Sequence, residues 1–179
     1  MTDSPASLSA EMADISAILT DQRHTFMIPM RNLTDEQANT RSTASTLTLA
    51  SLVKHVTDTE RHWVSTILAP DENAVFDMAA GTDGHTVHDG ETIETLVAAF
   101  HANAKITDAA LARIDLDALI PLPLAPWQPD REFWTARRIL LHLLREISQH
   151  SGHADIIREA IDGANTTYAM GADAGMDFS

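Results

Sequence analysis

Hydrophobic positions recur at helical spacing in four long segments, separated by stretches that are polar, Ser/Thr-rich or proline-rich. Leu8, Met12, Ile15, Leu19 and Phe26 mark a first amphipathic helix, with Ser7 or Ser9 as its cap and Pro29 as its end. Residues 32–48, NLTDEQANTRSTASTLT, lose the period and read as a connection in which Thr34 opens one short turn of helix. A second helix is predicted from about Leu49 to Leu68 on a stripe of Leu49, Leu52, Val56, Trp63 and Ile67, capped by Thr48 and stopped by Pro70. Residues 71–91 form a long glycine-containing loop, of the length that lids and crossovers have. A third helix follows over about Thr92 to Ile114, with Glu91 and Glu94 near the positive end of its dipole. PLPLAPWQP, residues 121–129, then reads as an extended connection whose Trp127 is placed to wall a pocket.

The fourth segment is FWTARRILLHLLREISQHSGHADIIREAIDG, from Phe133 to Gly163. Its stripe is Leu140, Leu143, Ile147, Ala154, Ile157 and Ile161, and Gly163 stands where a C-terminal glycine should. The last sixteen residues are mostly small or acidic, either frayed or docked through Tyr168, Met170, Met176 and Phe178. There is no internal repeat and no strand-like alternation. The expected fold is all-α: a four-helix bundle over residues 1–163 and a tail over 164–179, with a long connection between the second and third helices.

The fourth helix also carries His142, Glu146, His150 and His153, spaced four, four and three residues apart. Side chains at i and i+4 stack one turn apart, so imidazoles and a carboxylate line up where a buried helix normally carries leucine. Burying unpaired polar groups costs on the order of a few kcal/mol each, so the row needs partners. Glu146 and His150 can share one ion, and the third ligand must come from a facing helix, where His55 lies on the inward side. Two imidazoles and one carboxylate leave a tetrahedral zinc with an open position, and the same set suits non-haem iron. The competing reading is a hydrogen-bond network with no ion.

Neighbouring residues have plainer roles. His142 and His153 read as hydrogen-bond partners behind the ligands or as packing residues, rather than as further ligands. Glu60, five residues after His55, is either such a partner or part of a solvated face with Arg61 and His62. His85 and His88 have the spacing of a metal pair, but in a Gly/Asp-rich loop they read as solvated. Arg145 and Arg158 read as exposed or paired with acids, or as meeting the carboxylates of an anionic cosubstrate. Gly152, inside the helix, implies close approach of a neighbour or ligand, since glycine there costs roughly 1 kcal/mol relative to alanine.

LASLVKHVTDTERHWV (49–64), TARRILLHLLREISQHSGHADIIREAIDG (135–163) and LTDEQA (33–38) together resemble the DinB-like superfamily, in its subgroup with an E-x-x-x-H-x-x-H ending. The resemblance covers nearly the whole chain. It implies an up-down-down-up bundle with a divalent metal between the second and fourth helices, held by His55, Glu146 and His150. That ligand set is similar to the zinc site of mycothiol-dependent maleylpyruvate isomerase and of the mycothiol and bacillithiol S-transferases. The isomerase carries a second, C-terminal domain that this chain lacks, which favours the S-transferase. The implied cofactor is zinc, with nickel and iron as alternatives, and the implied cosubstrate is a low-molecular-weight thiol such as mycothiol.

Composition narrows the partners. At 179 residues with 44% hydrophobic and 21% charged content, the chain suits one globular domain. Twelve basic against 26 acidic residues give a net charge of −14, which disfavours nucleic acid and anionic membrane. The N-terminus has no basic start or apolar signal core, so a cytoplasmic location is expected. There is no cysteine, so any thiol nucleophile must arrive with a small molecule. The expected partners are therefore that thiol and a small electrophile, with a homodimer as the expected assembly. Two other functions fit the same residues: a metal-binding or stress-response bundle without turnover, and a zinc hydrolase or iron oxygenase.

Overall fold

In the computed structural model, residues 8–176 are described, without the side chains of residues 80–82. Ser7 and Phe178 lie outside the described residues. The order is α1 (Ala10–Met27), a 3-10 turn (Ile28–Met30), α2 (Asp35–Ala38), α3 (Leu49–Leu68), α4 (Met78–Asp83), α5 (Ile93–Leu111), β1 (Leu119–Pro121), β2 (Phe133–Thr135), α6 (Ala136–Asp162) and α7 (Thr166–Asp173). The protein is mostly helical, and its four long helices share one core. In it α3 packs against both α5 and α6, and α1 against α6. Leu19, Phe26, Leu49, Leu52, Val56, Leu111, Ile139, Leu140, Leu143 and Ile147 are almost wholly buried there.

The helix boundaries follow local chemistry. Ser9, Thr48, Thr92 and Thr135 each accept a hydrogen bond from the backbone of the first turn of the helix they precede, satisfying donors that would otherwise be unpaired. Thr34 and Gln37 form a reciprocal capping box on the single turn of α2. At the far end of α6, Gly163 takes φ +78°, and its N–H bonds to the Glu159 carbonyl.

Three expectations are corrected. Phe133 and Trp134 precede the last long helix as strand β2, which pairs antiparallel with β1 in the register Leu119↔Thr135, Ile120↔Trp134 and Pro121↔Phe133. Strands of three residues are too short to show alternation. A Cβ built at Gly152 would meet nothing within 4 Å, so no close approach accounts for that glycine. The described part of the tail is not frayed. Residues 166–173 form α7, held by Arg31–Asp173 and by the Thr166 N–H on Asp155, while Tyr168, Met170 and Met176 stay exposed.

Candidate metal centre

His55 sits two turns into α3, and Glu146 and His150 sit one turn apart near the middle of α6, on the face turned toward α3. Each residue offers one ligand atom, and the three atoms lie within 4.8 Å of one another. His150 is buried, while His55 and Glu146 are half-buried. The His55 and His150 rings meet edge to face at 4.8 Å between centroids.

A tetrahedral ion with bonds of about 2.0–2.2 Å holds its donors roughly 3.4 Å apart. The three side chains would close by about 1 Å onto such an ion, a movement within ordinary rotamer adjustment. Electrostatics favours the ligand form of both histidines. Desolvation, then the neighbouring His85 and His150 rings, lowers the His55 pKa to about 4 against the pull of Glu146. Burial likewise lowers that of His150, aided by His153 and opposed by Glu146. Both rings are neutral at neutral pH with a lone pair available, and the donor set fits a divalent cation.

The surroundings fix these side chains. His150 Nε2 lies 3.9 Å from Glu146 Oε2, while its Nδ1 is 3.3 Å from His153 Nδ1. The other carboxylate oxygen, Glu146 Oε1, lies 3.3 Å from Arg145 and 3.7 Å from His142 Nε2. His142 and His153 therefore stand beside the ligands, as the helical spacing placed them. Trp63 and Trp134 stack with ring planes 7° apart, and His142 meets both edge on. Its Nδ1 is buried without a hydrogen-bond partner. The Arg138 guanidinium lies 3.9 Å over the Trp134 ring. Trp127, read as a pocket wall, is instead exposed and packs on Phe76.

Glu60 does not join the cluster, nor is it solvated. It is 2% exposed, and its carboxylate accepts two bonds from Arg23, one from Thr107 and one from Asn103. Five residues at about 100° each carry it roughly 140° around the helix from His55, toward α1 and α5. Arg23, itself buried, also reaches Asp108. Arg158 is spent on Asp162 and on the carbonyls of Pro29 and Arg31, away from the site.

One further member reads as solvated from the sequence alone. His85 lies on the loop between α4 and α5, and its ring stacks on His55 at 3.9 Å with planes 14° apart. Its centroid is 6.3 Å from that of His150. His88, by contrast, is exposed and bonds to Asp83.

The model of the mycothiol S-transferase family matches residues 14–163. No curated protein matches the chain. Among solved structures, the fold is similar to that of a conserved protein from Enterococcus faecalis, with 18% identity and a TM-score of 0.61 over 89% of this chain and all (100%) of that one. No described helix is long and apolar enough to cross a membrane.

Proposed function

This chain belongs to the mycothiol S-transferase family, and from that premise we propose that it is a divalent-metal-dependent transferase joining mycothiol to a small electrophile. The four long helices are read as the up-down-down-up bundle of the DinB-like superfamily, with the metal between α3 and α6. The observation that carries the reading is the convergence of His55, Glu146 and His150 on one point in a chain without cysteine.

Zinc is the proposed ion, with nickel and iron as alternatives. When bound, such an ion supplies positive charge that lowers a coordinated thiol's pKa into the neutral range. The chain's residues do the rest. His55 and His150 bind as neutral imidazoles, so with Glu146 they leave the site a net positive charge. His153 and the His142–Arg145 pair orient His150 and Glu146. With three protein ligands, such an ion would keep a further position for the thiol. Beside the triad, the stacked Trp63 and Trp134 rings and the His142 ring offer flat surface to the electrophile.

Thiol-dependent loss of a chlorinated or epoxide electrophile tests the proposal directly. The transferase consumes mycothiol and electrophile in equal amounts, and His150→Ala abolishes it. Turnover without thiol would indicate a hydrolase, oxygen uptake would indicate an iron oxygenase, and metal binding without turnover would leave a non-catalytic module. Each of these outcomes contradicts the proposal.

A further inference from the structure

Resting on the three-ligand reading, we propose that His85 is a fourth, displaceable ligand of the same ion, holding the open position until the thiol takes it. Two imidazoles bound to one ion at about 2.0–2.1 Å put their ring centroids roughly 5 Å apart. His85 stands 3.9 Å from His55 and 6.3 Å from His150, so its two distances bracket that value. A slide of the ring along the face of His55, away from stacking and toward His150, equalises them. This movement needs one side chain and no rearrangement of a helix.

The loop is built to present that ring. The Asp83 carbonyl accepts from the Thr86 N–H, and its carboxylate bonds His88, closing a tight turn around residue 85. Glu91 then accepts from the His88 N–H at 2.7 Å and from Lys54 Nζ at 2.8 and 3.0 Å. Lys54 is the residue before His55, so the loop is tethered to α3 beside the ligand it covers. Val87 packs against the core, and Gly90 supplies the φ of +89° that returns the chain toward α5. The chain is thus fixed on either side of His85, while His85 itself stays exposed to solvent on its outer edge.

The consequence is a coordination position that imidazole rather than water holds at rest and that opens by ligand exchange. The His85–metal bond breaks as the sulfur–metal bond forms, and the thiol proton leaves to solvent. A weak water ligand would be replaced as readily, but a histidine also blocks hydrolysis by metal-bound water in the absence of thiol.

The test is cobalt(II) bound to the full chain without thiol, comparing wild type with His85→Ala. The readouts are the visible absorption spectrum and competition against a chromophoric chelator. The exposed loop position lets the variant fold. The expected result is about 10-fold or greater loss of cobalt affinity in H85A, with weaker visible bands as water replaces the imidazole. After mycothiol is added, the two spectra should coincide. Wild-type affinity and an unchanged thiol-free spectrum in H85A would overturn the fourth ligand alone. A wild type that binds no cobalt would overturn the three-ligand site and this inference with it.

Discussion

His153 Nδ1 lies 3.3 Å from His150 Nδ1, and this leaves Nε2 of His150 as the nitrogen facing Glu146. One ring proton between the two Nδ1 atoms fixes which nitrogen of His150 is free to bind an ion. Replacing His153 by alanine should lower metal affinity about 10- to 100-fold, the usual cost of removing such a partner. His153→Asn, which retains a hydrogen-bonding group, should recover part of it. Chelator competition measures both, and thermal melting of the metal-free proteins should show little difference.

The Arg23–Glu60 network is independent of the metal centre. Glu60→Ala leaves a buried guanidinium without its main partner and should cost about 3–5 kcal/mol of stability. Urea unfolding would measure that loss. Metal content of the protein that remains folded should be unchanged, and loss of metal would place Glu60 behind the ligands after all.

Gly152 is an unoptimised position. With open space around its Cβ site and a helical backbone, Gly152→Ala should stabilise the protein by up to about 1 kcal/mol. A shift of the urea midpoint to higher concentration checks it, and metal affinity should stay as it was.

The metal-free protein should lose stability in mild acid. The folded-state pKa of His55 is about 4, below its ordinary 6.5, and those of His142 and His150 are lowered in the same direction by burial. Between these values the unfolded chain takes up protons that the folded chain refuses. Stability is therefore full above about pH 6.5 and falls as pH drops toward 4. Melting temperature of the metal-free protein measured across that range should decline.

Most of the fold was legible because the long helices repeat their apolar positions and carry caps at their ends. Thr48 and Gly163 mark two of those ends by residue type alone. The triad was legible for the same reason, since Glu146 and His150 share a helical face and His55 needed only the inward side of its own helix. β1 and β2 were not, because three residues carry no period. The position of Glu60 could have been read, since the i+5 offset turns it away from His55. Its partner Arg23 lies 37 residues earlier on another helix, and no local pattern pairs them. His85 was the hardest. It sits 30 residues after His55 in a loop without periodicity, and only the anchors at Asp83, Lys54 and Val87 bring it over the site.

The most direct measurement is elemental analysis of the untagged protein beside Glu146→Ala and His150→Ala, followed by mycothiol titration of the cobalt-substituted wild type. The account predicts one metal ion per chain, lost in both variants, and a visible spectrum that shifts as sulfur enters the coordination shell. Wild-type protein without metal, or cobalt that ignores mycothiol, would contradict it.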